Sequence, residues 1–437
     1  MIGSAPSISK PAAALTVVGI VAMPLQWIPL APFGPGKELE IPNAVALGFA
    51  LVLPFAIFLS RRMWRIHLLF GLLVLWSLVY WSSMVLHDTP DGMGILGQQF
   101  MQAIYGWTLA LCIAHSDIKI SHVAVFGLFC VAVLLHISAA TAGINLLDAF
   151  LEYIKSGDRI KFIYFGLSPS FNAFVSNSDV DYAASMLNTI ANCMSAFIII
   201  SFIKEKDQKY KPIIKIKNII SLSFVPFLFL MFSMSANIVI FSLIIIILYK
   251  VITNSSTFVR IALPFALLAV FTFAYGPLSE ITEANLEEDT ASRGARLEQY
   301  ATASEMISNN VLSGVGFFRI GKHPVHNWPL FSWATSGYIL FIITILFYII
   351  IFISGKSFMR HSIGQEIAII PLWVLIFIRT SVGGAGSIPF GSAIIAISVL
   401  LGLLERYHRE ARVLRREMAE NALEFSPTPP PPRLRRA

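Results

Sequence analysis

Stretches of about twenty consecutive apolar residues recur along this chain, roughly the number a helix needs to cross a bilayer core about 30 Å thick. Twelve can be marked, near residues 12–31, 43–60, 66–86, 95–115, 120–140, 183–203, 218–234, 237–252, 261–277, 331–354, 366–382 and 388–404. The seventh and eighth nearly abut and together are too long for one helix; Ser233, Ser235 and Asn237 supply a place to turn. The first is too long for the apolar core of a signal peptide and reads as a helix. Inside hydrocarbon every backbone polar group must be satisfied within the chain, so a succession of this kind specifies helices. The expected fold class is all-α, a polytopic membrane protein of about twelve transmembrane helices.

Composition excludes the main alternatives. Apolar side chains make up 56% of the chain and charged ones 13%, with a mean hydropathy of +0.73; ordinary globular chains carry roughly 25% charged residues. A disordered protein, a nucleic-acid binder with a basic face and an ordinary cytosolic enzyme are all ruled out. Cys112, Cys130 and Cys193 lie in apolar runs without CxxC or Cys/His spacing, which gives neither a disulfide framework nor a zinc site. The net charge of +7 is a topology signal. With the N-terminus inside, 23 of the 32 Lys and Arg residues fall on the inner side and 9 on the outer. Basic residues are retained on the cytoplasmic side, so both termini are expected there, where they also attract anionic inner-leaflet lipids.

Residues 1–404 form the expected transmembrane domain, with two long outer loops near 141–182 and 278–330 that hold short amphipathic helices. Loops of that length in a compact membrane protein are usually functional. From Glu405 the chain changes character. Arg406 to Arg416 reads as a basic helix continuing the last span, and SPTPPPPRLRRA then forms a polyproline tail without a packed core. Residues 405–437 are thus a basic, Pro-rich cytoplasmic tail, partly disordered.

The second loop carries the most information. In SRGARLEQYATASEMIS, residues 292–308, apolar or aromatic Leu297, Tyr300 and Ile307 share a helix face with small Ala301 and Ser304 between. Ser292 is placed to cap this helix and Asn309–Asn310 to end it. Arg293, Arg296 and Tyr300 lie on one side, as in a basic amphipathic helix at headgroup level; contact of the arginines with lipid phosphates alone is the bland reading. Gly314-Val315-Gly316 permits a tight backbone path. No strand precedes it, so a dinucleotide site is rejected. Trp328 and Trp333 read as interfacial anchors of the following span, with His326 just before them.

The block SRGARLEQYATASEMISNNVLSGVGFFRIGKHPVHNWPLFSWATSGYIL resembles the O-antigen ligase and O-antigen polymerase superfamily of bacterial polytopic glycosyltransferases. Arg296, with Tyr300, Ala303 and Ile307, matches the first part of that family's pattern. Asn310, Leu312, Gly314 and Gly316 match the second, with Val311 where proline is usual. His326-Asn327 matches the His-Asn pair, and Gly337 follows at the family's distance. The twelve-span layout, with this loop between the ninth and tenth spans, also fits. The family's Ser-Arg pair on an earlier hairpin is missing here, where Ser235-Ala236-Asn237 stands. Arg159 in the first loop is the match for its upstream arginine.

The resemblance implies a substrate, a glycan on undecaprenyl diphosphate presented at the periplasmic face of the inner membrane, and no cofactor. As the sugar–phosphate bond breaks, the leaving diphosphate gains charge, and preorganised cations stabilise that transition state. Arginine binds phosphate bidentately and stays charged. Arg296 is the first candidate, Arg293 and Arg159 follow, and Arg379 near the outer end of its span is a further diphosphate candidate that can otherwise snorkel. The acceptor is a hydroxyl, so a base is needed; His326, neutral near pH 7, takes that role or orients the acceptor. His323 is its backup, with a solvent-exposed loop histidine as the bland alternative, and Asn327 holds the loop or the ring. A single displacement inverts the anomeric carbon. Asp179 and Asp181 form a D-x-D pair that either favours a helix dipole or holds a metal; the main reading is metal-independent. Glu283, Glu287, Glu288 and Asp289 read as a solvated face. His136, Gln98, Gln99 and Gln102 read as hydrogen-bonding between helices.

Two acceptors fit: lipid A core, for a ligase, or a second lipid-linked glycan, for an O-antigen or exopolysaccharide polymerase that would work with a chain-length regulator. The His-Asn spacing favours the ligase. A transporter built from six spans, a basic central loop and six spans is the rival class, opposed by the lack of matching breaks in the two halves. A metal-dependent glycosyltransferase using Asp179 and Asp181 is the second.

Overall fold

A computed structural model describes residues 9–25, 29–32, 38–141, 180–204, 215–225, 234–254, 297–318, 327–360, 365–381 and 391–424, together with isolated positions between these runs. In chain order these form α1 (Ser9–Ala22), the strands β1 (Pro29–Pro32) and β2 (Glu38–Glu40), α2 (Ile41–Leu59), α3 (Trp64–Leu86), α4 (Met93–His115) and α5 (Ile120–Thr141). Next come α6 (Val180–Ser201), α7 (Ile216–Leu222), α8 (Met234–Asn254), α9 (297–309), α10 (Trp328–Met359), α11 (Glu366–Ser381) and α12 (Ser392–Glu424). The described residues are therefore helical apart from one antiparallel ribbon, in which Pro29 pairs with Glu40.

Among the described residues, five helices are long and apolar enough to cross a membrane: α2, α3, α10 and the greater parts of α5 and α8. Their outward faces carry large apolar side chains. Leu51, for instance, is 85% exposed, and Phe55 and Phe58 also point outward from α2. A belt of that kind belongs against lipid, since soluble surfaces seldom expose contiguous apolar patches. The inner helices lack such a face: α6 from Ile190 to Ile200 and α12 from Ser392 to Leu401 are buried on every side.

Most of the expected apolar stretches within the described residues coincide with a helix, though only five of those helices are long and apolar enough to span, and two stretches differ in extent. The first helix ends at Ala22 rather than near residue 31. Pro24 follows, the residue before a proline disfavours helical backbone, and Pro29 and Pro32 sit in the ribbon, at whose edge the missing amide is tolerated. Of the stretch 218–234, only α7 and a few following residues are described; 261–277 lies outside the described residues, as does most of the loop 141–182. Residues 425–437 do too, while the basic continuation of the last span is present as the second half of α12.

Packing divides the bundle. Helix α4 lies among α1, α2, α3 and α12; α10 packs on α3; and α6 packs on α5, α8, α11 and α12, so α12 joins the two groups. Small residues set the closest approaches. A β-carbon at Gly106 of α4 would meet Phe70 of α3, and one at Gly402 of α12 would meet Ile113 and the Ala110 carbonyl of α4.

One end of the bundle is closed by charge. Arg406 donates from Nε and Nη2 to the Ile113 carbonyl, from Nη1 to the Ile118 carbonyl and from Nη2 to Ser116 Oγ, satisfying carbonyls at the C-terminus of α4. Arg65 pairs with Glu405 at 3.3 Å. Burial pushes the Glu405 carboxyl above its ordinary range, and the Arg65 guanidinium pulls it back. This is the basic end. The opposite end holds the α3–α4 turn, the start of α10 and the end of α11.

Candidate functional site

The site is built at that opposite end, around the segment following α9. Within α9 the face turned to the protein runs through Gln299, Tyr300, Ala303 and Ile307, and Ala303 is fully buried. Leu297 is 67% exposed, so the packed face starts two residues later than its spacing suggests. The helix stops at Asn309, and the Asn310 amide bonds the Met306 and Ile307 carbonyls.

Gly314 and Gly316 then hold φ of 68° and 76°, left-handed values that a β-carbon resists. Between them the chain aligns along the first turns of α10. The Val315 amide bonds the Ala334 carbonyl, and the Gly316 amide bonds the Thr335 carbonyl, both at 2.9 Å. Those carbonyls are free because α10 breaks at Gly337, where φ is 72° and ψ is −162°. Ser83 Oγ adds a third link, donating to the Thr335 carbonyl at 2.7 Å. Beyond Gly316 the Phe317 amide donates to Thr89 Oγ1 at 3.0 Å, fixing the segment on the α3–α4 turn. The three motif glycines thus make one backbone joint.

Asn327 links this joint to α11. Its side-chain oxygen accepts from the Leu330 amide at 2.9 Å, an N-cap with Pro329 in the first turn of α10. Its Nδ2 donates to the Ser381 carbonyl at 3.1 Å, at the C-terminus of α11. Two residues earlier on that helix is Arg379. Its side chain is turned into the bundle rather than toward the surface, 8% exposed, so it does not snorkel. Among the described residues no carboxylate pairs with it, and its buried Nε has no hydrogen-bond partner. A buried guanidinium without a counter-ion is costly inside a bundle unless an anion meets it.

Of the residues singled out from sequence, Asn327, Arg379 and Tyr300 are thus placed, the first two at one helix junction. His326, His323, Arg296, Arg293, Arg159 and Asp179 lie outside the described residues, as do the side chain of Asp181 and the acidic run 283–289. His326 follows the buried Val325 and precedes the capping Asn327. Among the described residues no group of three or more His, Cys, Asp and Glu is placed to hold a metal.

Three sequence readings change. Trp328 is not an interfacial anchor: it is fully buried, with its ring 5.8 Å from Trp76 and 5.2 Å from Phe347. Trp333 lies nearer the surface and donates to the Val311 carbonyl. Gln99 and Gln102 do not bond between helices; both are fully buried, and none of their amide atoms has a partner. His136 faces outward from α5. One residue carried no sequence signal at all: His87, in the turn against which Gly316 packs, with a buried Nε2 lacking a partner.

No protein-family model matches this chain, and no curated protein sequence matches it.

Proposed function

We propose that the chain is a metal-independent, inverting membrane glycosyltransferase. It transfers a glycan from an undecaprenyl-diphosphate donor to a hydroxyl acceptor at the periplasmic face of the inner membrane. The observation that supports this reading is the Arg379 guanidinium, buried without a carboxylate among the described residues and two positions from the Asn327–Ser381 hydrogen bond. A buried cation two positions from the residue that Asn327 bonds suits an anionic leaving group.

In the proposed reaction the acceptor oxygen attacks the anomeric carbon and loses its proton to the His326 imidazole. The anomeric carbon–oxygen bond breaks, and its electron pair leaves on the diphosphate. Arg379, with Arg296, Arg293 and Arg159 from the outer loops, meets the charge that develops there. Asn327 sets the start of α10 and the loop that carries His326. The energy of transfer is already stored in the activated donor.

Lipid A core is the preferred acceptor, which makes the protein a ligase. The alternative is a polymerase that joins lipid-linked repeat units. Transfer assayed with the purified protein, lipid-linked oligosaccharide donor and each acceptor separately, with and without EDTA, tests both. Product on lipid A core in EDTA is the expected result. Lengthened lipid-linked glycan marks the polymerase, loss of activity in EDTA excludes the metal-free scheme, and no product with either acceptor overturns the proposal.

A further inference from the structure

The turn between α2 and α3 is Ser60-Arg61-Arg62-Met63, closed by the Met63 amide on the Ser60 carbonyl at 2.8 Å. Its two central residues are therefore adjacent arginines, and both are exposed. The residues at its corners are held from within. Met63 is buried. His67 Nε2 meets the same Ser60 carbonyl at 2.8 Å, and Ser60 Oγ meets His115 Nε2 of α4 at 2.8 Å. Trp107 Nε1 donates to His67 Nδ1 at 3.0 Å, so the proton of the neutral imidazole lies on Nε2, where it serves the Ser60 carbonyl. Three helices thus brace a turn of four residues, and the two arginines project from a rigid base.

Aromatic rings stand beside them. The Arg61 guanidinium carbon lies 4.4 Å from the centre of the Phe58 ring, and that of Arg65 lies 4.9 Å from the centre of Trp64. Phe58 and Trp64 are 61% and 55% exposed. Both α2 and α3 are long and apolar enough to span a membrane, so these rings belong to the belt that faces lipid and the arginines to its edge. Arg65 is committed to Glu405. Arg61 and Arg62 have no carboxylate partner among the described residues.

Such a surface fits an anion with apolar chains attached. A phosphate bridges two adjacent guanidiniums through charge-assisted hydrogen bonds, and acyl chains below it run along the two rings. A zwitterionic headgroup sets its own ammonium against the arginines, so a net negative headgroup is preferred. An acidic protein would use the charges and leave both rings without a role. We propose that the α2–α3 turn binds one anionic phospholipid, its phosphate held by Arg61 and Arg62 and its chains laid against Phe58 and Trp64. The site lies at the basic end of the bundle, away from the joint around Gly316 and Gly337, and does not depend on the transferase reading. Because Arg65 and Glu405 link the same turn to α12, lipid held there steadies the base of the bundle.

The full-length protein in a neutral detergent is titrated with phosphatidylglycerol, with phosphatidylcholine and with inorganic phosphate. Bound lipid is counted by native mass spectrometry, and stability is followed by thermal melting. Wild type is expected to hold one phosphatidylglycerol in preference to phosphatidylcholine and to melt higher with it. Arg61→Gln/Arg62→Gln is expected to weaken that binding roughly thirtyfold. Lys119→Gln/Lys356→Gln, which removes equal charge from two exposed lysines away from the turn, is expected to leave it unchanged. Should the Gln pair at the turn fail to fold, Phe58→Leu/Trp64→Leu keeps every charge, removes both rings and is expected to weaken binding about fivefold. Equal retention of the two lipids by wild type overturns the proposal, as does an affinity that the Leu pair leaves unchanged. Equal loss in the arginine and lysine pairs also overturns it, since that marks diffuse surface charge. So does a rise in melting temperature with phosphate as large as that with phosphatidylglycerol, the mark of a free-anion site.

Discussion

The backbone of Gly337 lies against the carbonyl of Leu312 with no room for a β-carbon between them. The contact ties the break in α10 to the segment after α9, and it places a residue at φ 72° where only glycine rests without strain. Gly337→Ala is expected to cost at least 3 kcal/mol, on the order of the strain and overlap combined. The joint at Val315 and Gly316 would open first. Limited proteolysis of residues 310–320 and a thermal melt of the purified variant would show it; a variant as protease-resistant as wild type would contradict the crowding.

Asn327 does two jobs that substitutions separate. Asn327→Ala loses both the cap on α10 and the link to Ser381, for about 1–2 kcal/mol. Asn327→Asp keeps an oxygen for the Leu330 amide but sets a carboxylate against the Ser381 carbonyl. The Asp variant should melt closer to wild type than the Ala variant while losing about tenfold or more in transfer rate. Equal activity of wild type and Asp would mean that the link to α11 has no part in catalysis.

Arg379→Leu removes a buried cation and keeps an apolar side chain among apolar neighbours. Such replacements are often neutral or stabilising by about 1–4 kcal/mol. The expected outcome is a melting temperature at or above wild type combined with loss of transfer and weakened donor binding. A marked fall in melting temperature with donor affinity intact would point to a structural role for the guanidinium.

His326→Ala and Arg296→Ala are each expected to leave the protein inserted in the membrane yet halt glycan transfer, so that lipid-linked donor accumulates. Immunoblots of membrane fractions and extraction of the lipid-linked pool measure the two halves of that statement. Normal surface polysaccharide in the His326→Ala strain would remove the histidine from the scheme.

Helices such as α2 and α3 could be read from apolar length alone, because their residues answer to hydrocarbon thickness and little else. What length does not encode is which way a polar residue within a span points. Arg379 lies near the end of an apolar run, where reaching outward and turning inward fit the same sequence; its burial in the folded bundle decides it. Gln99 and Gln102 have the spacing of interhelical bonding groups, yet none of their amide atoms has a partner. The motif glycines were visible as a pattern, and their left-handed backbone follows from residue type. Their convergence on one joint depends on α3, α9 and α10 meeting, which no local signal records. Trp328 shows the opposite failure, since a tryptophan at a span terminus has the same sequence signature whether it faces headgroups or fills a core.

Helix α12 continues without a break for 33 residues, about 50 Å at 1.5 Å per residue. Its first ten residues are enclosed by the bundle, and most of the described residues in its far half are exposed. Arg406 pins it partway along to the backbone at the end of α4. The helix is therefore a single stiff element, and whatever engages its exposed half is mechanically continuous with the residues enclosed in the bundle.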